Sequence, residues 1–108
     1  MEKLDLPQGT LDLLVLQVLS GGEMHGWGIA QKLTVLSKEA LQLQEGTLYP
    51  ALYRMEAKGW IEAEWAQSDN NRRAKYYRLT KIGRKRLVVE KEDWDRLATL
   101  VARVLDPA

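Results

Sequence analysis

The chain has 108 residues, 45% of them apolar and 29% charged, which describes one globular domain and excludes a disordered chain. It contains no Cys and one His, His25, so disulfides, thiolate nucleophiles, Cys-ligated zinc and multi-His metal sites are excluded. Net charge is +1, yet Asn70 to Val89 holds eight basic residues and no acid, while the rest carries eight basic residues and fifteen acids, a balance of −7.

That segregated block (Arg72, Arg73, Lys75, Arg78, Lys81, Arg84, Lys85 and Arg86) points to a polyanionic partner. Its plainer reading is a solvated basic helix start. No apolar run approaches the roughly 18 residues of a membrane span. The longest, Leu11 to Leu19, is interrupted by Asp12 and Gln17. "MEKLDLPQG" lacks a signal-peptide pattern. A cytoplasmic location without a membrane partner is expected.

In chain order, Pro7 and Gly9 precede a first helix, with Thr10 as the expected N-cap because its hydroxyl can accept an orphan N–H. It stops at Gly21-Gly22. Leu11, Leu13, Leu14, Val15, Leu16, Val18 and Leu19 make it apolar nearly all round. Such a helix is buried on several sides, and in so small a domain that suggests a second chain. A second helix runs from His25 or Gly26 to Leu36, with Gly26, Ile29, Leu33 and Leu36 on one face and Trp27 nearly opposite, toward solvent. "SKEALQLQEG" is polar, with a short extended piece at Leu41 to Leu43.

A third helix occupies "EGTLYPALYRMEAKGW", with Thr47 as N-cap, Pro50 in the first turn and Gly59 as the stop. Leu48, Leu52 and Met55 make its core stripe, edged by Ala51. Its outer face, Pro50, Tyr53 and Ala57, is aromatic and uncharged, which is poor for water but suits close approach to a groove. "WIEAEWA" alternates with period two and "AKYYRLT" is its partner, making a hairpin with a polar, then basic, tip. Thr80 then caps a long helix to about Leu105. There Leu87, Trp94, Leu97, Val101 and Val104 follow the spacing of a helix–helix seam, imperfect at Glu90.

Three helices followed by a basic-tipped hairpin is the order of a winged helix-turn-helix, in which the third helix enters the DNA major groove and the wing lies on phosphates. The expected fold is mostly α with a small β-hairpin. Residues 1–79 form the DNA-binding domain and 80–108 a C-terminal dimerisation helix, in one compact unit. The expected dimer contacts are Leu11, Leu14, Leu87, Trp94, Leu97, Val101 and Val104.

Hydroxyls of Thr47, Tyr49 and Tyr53 can bond phosphates at a helix start. Arg54 could meet a guanine edge with both prongs of its guanidinium. Tyr49, near the core boundary, could equally just pack. Trp27 could donate its indole N–H to phosphate or act as a lid over the core or the dimer contact. Lys32 is a further phosphate candidate or a solvated lysine. Arg72, Arg73 and Lys75 on the wing suit phosphate contact or, for an Arg, the minor groove. The competing reading is a charged turn that keeps a hairpin edge from pairing. His25 reads as a polar helix start. No nucleophile–base–acid arrangement can be assembled around it, so no enzyme is expected.

"HGWGIAQKL", "EGTLYPALYRMEAKGWI", "RRAKYYRLTKIGRKRL" and the downstream "EDW" closely resemble PadR-type transcriptional regulators with one short C-terminal helix. The resemblance runs from about Leu11 to Leu105. It implies a cytoplasmic, homodimeric repressor on a pseudo-palindromic double-stranded operator, without cofactor or metal, released by a small effector such as a phenolic acid or a planar drug. Trp27 departs from the more frequent Tyr and keeps the aromatic character. In some multidrug-sensing relatives a Trp matching Trp94 and its dimer mate sandwich flat aromatic ligands. The plainer reading, that Trp94 fills the dimer core without ligand, is preferred. The alternative function is a winged-helix module docking on an acidic protein.

Overall fold

The computed structural model describes residues 6–107. Helix α1 spans Gln8–Leu19, starting earlier than Thr10. The cap is Pro7, whose carbonyl accepts from the Leu11 N–H at 3.1 Å, with no side-chain cap. Proline's fixed φ already sets the chain direction there, so Thr10 falls inside the first turn instead of capping it. Strand β1 (Met24–His25) and helix α2 (Gly26–Leu36) follow. His25 opens α2 as expected: its Nδ1 accepts from the Gly28 N–H at 2.9 Å. Ser37 Oγ accepts from the Leu41 N–H at 3.0 Å, which seats Leu41 in the core at the turn of the helix-turn-helix. No strand forms at Leu41 to Leu43.

Helix α3 spans Glu45–Ala57, capped by the Gln44 backbone and not by Thr47, which lies in its first turn. Pro50 consequently sits past the first turn, where its missing N–H removes one bond of the ladder. Strands β2 (Ile61–Gln67) and β3 (Arg73–Leu79) pair antiparallel in the register Ile61↔Leu79 to Gln67↔Arg73. At the tip, the Asn71 N–H donates to the Ser68 carbonyl at 2.9 Å, and Asn71 takes a left-handed φ of 63°. This is the three-residue hairpin loop with a residue suited to that conformation. The sheet has three strands, in the order β1-β3-β2, because Met24 and His25 pair with Tyr77 and Tyr76.

Helix α4 spans Lys81–Leu105. Thr80 caps it, accepting from the Gly83 N–H at 3.0 Å and donating to the Gly59 carbonyl at 2.6 Å. The same residue thereby closes the helix start onto the turn after α3. Gly83 is required here, since a Cβ would collide with the Trp60 carbonyl oxygen, a backbone atom that cannot swing away.

The core gathers Leu11, Val15, Leu16 and Leu19 from α1, Ile29 and Leu33 from α2, and Leu48, Ala51, Leu52 and Met55 from α3. Ile61, Tyr77, Leu79 and Leu87 close it from the sheet and α4. Side chains such as Leu16, Ile29 and Leu52 lose all contact with water, each contributing about 1.5–3 kcal/mol. Ala51 is fully inside, not at the edge. Leu11 and Leu87, expected at a dimer seam, are buried by their own chain, so they are corrected to core residues. The inward alternation of β2 ends at Ala63, leaving Trp65 exposed. Among the described residues no helix is long and apolar enough to cross a membrane.

Candidate nucleic-acid interface

Helix α3 turns Leu48, Ala51, Leu52 and Met55 inward, which forces Pro50, Tyr53 and Ala57 out. Tyr53 is 76% exposed. The expected uncharged outer face is therefore present. Thr47 is exposed one turn earlier. Tyr49 leans back over α2, where a Cβ on Gly26 would lie 2.7 Å from its ring and hydroxyl. Tyr49 both packs on that glycine and keeps an exposed edge.

Between the starts of α2 and α3 and the wing lies an open cleft of about 500 Å³. Trp27, Tyr49, Trp65 and Tyr77 supply its aromatic walls, and Arg72, Arg73 and Lys75 supply its charge. No acid lines it. Trp27 is 62% exposed, as expected for the outward side of α2. Lys32 is exposed on the same helix, beside a neighbouring hollow shared with Trp27, Asp69 and Tyr76. Two contributors were not singled out from the sequence as site residues. Trp65 lies 5.5 Å under the Arg73 guanidinium, and His25 stacks against Trp27 and Tyr76 at 5.9 and 5.3 Å. The available signal was the aromatic residue at the solvent end of β2.

The three wing cations are not equivalent. Arg72 and Arg73 are exposed and take part in none of the ion pairs among the described residues. Lys75 donates to Glu56 Oε1 at 3.1 Å, bracing the wing against the end of α3. That hydrogen bond pushes the Lys75 ammonium above its ordinary range and keeps it charged. Arg78 is surrounded by Glu23, Glu62 and Glu64, and Arg86 pairs with Glu90, so neither has a free positive charge to offer.

Arg54 faces away from the cleft. Its Nη2 donates to Asp12 Oδ1 of α1 at 2.6 Å, and its side chain is 29% exposed. The side chain expected at a base edge is thus held on α1 in the unbound chain. Turning outward would strand the Asp12 carboxylate inside the protein without its partner, which is costly. Burial outweighs the attraction of Arg54 and pushes the Asp12 carboxyl above the usual carboxylate range; Lys58 opposes the rise and Glu90 adds to it.

A testable pH dependence follows. The folded chain holds a proton on Asp12 more tightly than the unfolded chain. Its contribution to stability therefore grows as pH falls through the raised folded value, and is complete below the ordinary unfolded value. Asp12→Asn keeps an acceptor for Arg54 and removes this titration. Thermal melts of wild type and variant should converge or cross as pH is lowered; curves that stay parallel contradict the assignment.

Beyond the core, α4 carries an exposed apolar stripe: Trp94, Leu97, Leu100, Val101, Val104 and Leu105. Leu14 is half-buried on α1, beside an apolar groove shared with Val18, Leu33, Leu36 and Leu41. Trp94 lines a second groove of about 240 Å³ between α1 and α4, with Thr10, Leu13, Glu90 and Asp93.

A helix-turn-helix whose third helix lies beside a basic, sheet-built wing defines a winged-helix protein. The profile described as the transcriptional regulator PadR-like family matches residues 15–89. The chain belongs to this family, whose members are transcriptional regulators and not enzymes. It is 31% identical over 94 residues to the transcriptional regulator Rv3488 of Mycobacterium tuberculosis, covering 87% of this chain and 84% of that one. A PadR-like transcriptional regulator of Bacillus cereus superposes with a TM-score of 0.77 at 29% identity, covering 92% of this chain and 94% of that one. A transcriptional regulator from Clostridium thermocellum does so with a TM-score of 0.82 at 27% identity, covering 89% and 93%. DNA-binding regulation is thus the chain's class of activity.

Proposed function

We propose that the chain is a cytoplasmic, homodimeric repressor whose α3 enters the major groove of a pseudo-palindromic operator while the wing lies on the flanking backbone. The observation that carries this reading is the aromatic cleft between α2, α3 and the wing, whose charged lining among the described residues is cationic. Tyr53 and Thr47 approach the groove, and Trp27, Lys32 and Tyr49 hold phosphates on the α2 side. Arg72 and Arg73 neutralise phosphates on the wing side, with Lys75 adding field while it braces the wing. The stripe from Trp94 to Val104 joins two copies and sets their reading helices about 34–36 Å apart, or a multiple of that. Leu14 extends that contact on α1.

The groove at Trp94 is the place for a planar aromatic effector that releases the protein from DNA. A broad π face in a mostly apolar slot binds flat compounds without specific hydrogen bonds.

Binding to duplex from the region upstream of its own gene should weaken with salt, with a log–log slope of about −0.9 per phosphate neutralised. Tyr53→Ala should lose specific affinity and leave the fold and dimer intact. A chain without salt-sensitive duplex binding would not be this regulator. Its basic cleft would then be a dock for an acidic protein.

A further inference from the structure

Arg54 sits on the helix that faces the cleft, but its guanidinium reaches backward to α1. Asp12, its partner, is the buried charged residue of the described chain, only 4% exposed. The contact has one prong. Nη2 meets Oδ1, while Arg54 Nε is buried and has no hydrogen-bond partner. Guanidinium and carboxylate can meet through two parallel bonds, and Asp12 has a second oxygen to offer. The pair therefore has an unused second position.

We propose that Arg54 is a positioning residue for DNA recognition that seats α3 on α1 through Asp12. The proposal rests on the DNA-binding reading above. A buried pair adds little net stability, because desolvation cancels most of the attraction. It does fix the relative orientation of the two helices it joins, and a fork-shaped guanidinium does this better than an ammonium.

The test uses the full chain with Arg54→Gln, Asp12→Asn and the double variant. Duplex from the upstream region is titrated at several salt concentrations, and amide hydrogen exchange is followed along α3. Arg54→Gln should weaken specific binding about tenfold, equivalent to about 1.4 kcal/mol, with the salt slope unchanged. Adding Asp12→Asn should cost nothing more. Asp12→Asn alone should weaken specific binding in the same direction, again with the salt slope unchanged. The amides of α3 should exchange faster in Arg54→Gln than in wild type.

A slope reduced by about 0.9 would make Arg54 a phosphate contact and overturn the proposal. So would additive penalties from Arg54→Gln and Asp12→Asn. If Arg54→Gln does not fold, Asp12→Asn carries the same test: unchanged affinity and unchanged α3 exchange in it overturn the proposal. If wild type does not bind duplex, the DNA reading fails on its own. Hydrogen exchange then still decides the seat, and unchanged α3 exchange in Arg54→Gln refutes it.

Discussion

Arg72→Ala combined with Arg73→Ala is expected to weaken duplex binding about thirtyfold at 0.15 M salt and to flatten the log–log salt dependence by about 1.8. Each neutralised phosphate contributes a factor that scales as salt to the power of about −0.9, or roughly fivefold per contact at that salt. These two arginines are the wing cations without an ion-pair partner among the described residues, so their whole charge is available. Neither belongs to the core, and the Arg73 guanidinium lies over the ring of exposed Trp65. The melting temperature should stay where it is. Lys75→Gln should flatten the slope less and lower stability more, because Lys75 is braced on Glu56. Titration at four salt concentrations separates the two. An unchanged slope in the double variant would remove the wing from the interface.

The second large effect is expected in α4. Leu97→Glu with Val101→Glu should convert the proposed dimer to monomer and lower duplex affinity to that of a single half-site. Both side chains are about half exposed in one chain. Each therefore has roughly 1 kcal/mol of burial to gain from a partner. A two-fold axis repeats both, so about 4 kcal/mol is at stake, near a thousandfold in dimer affinity, before the desolvation of four carboxylates is counted. Beyond Leu97 the residues of α4 are all exposed, and an isolated stretch of that length is marginal in water. Loss of the dimer should therefore be accompanied by loss of helical signal. Sedimentation and circular dichroism on the same samples read both. A variant that stays dimeric would place the seam elsewhere, with Leu14 and the neighbouring groove next in line.

The parts legible in the sequence are those where the residue itself dictates a geometry. Thr80 before a long amphipathic run caps α4 because its hydroxyl suits no other local use so well. Leu48, Leu52 and Met55 fall inward by period alone, and once they do, Tyr53 has only solvent to face. The missed features depend on information that a local pattern does not carry. A two-residue strand such as Met24–His25 has no period to detect, and pairs only because Tyr76 and Tyr77 arrive beside it from far along the chain. Leu11 and Leu87 are apolar whether their cover is the same chain or another, so periodicity could not assign them. Arg54 is the sharpest instance. Its place on α3 suggested an outward charge, but the long side chain wraps back to an acid forty-two residues earlier. One signal was available. Asp12 interrupts an otherwise apolar stretch, and a buried acid needs a cation somewhere.

Gly83 sets more than the packing of one turn. Because Thr80 and Gly83 lock the start of α4 against the Gly59–Trp60 turn, the wing and the long helix leave a single rigid joint. The helix beyond that joint is about 37 Å long, so each degree of tilt there carries its far end about 0.6 Å sideways. In two copies joined along α4, the joint works as a lever: small changes among Gly59, Trp60 and Gly83 would alter the span between the reading heads without touching any residue that meets DNA. Operator spacing would then be a property of this hinge geometry, adjustable independently of the sequence each head prefers.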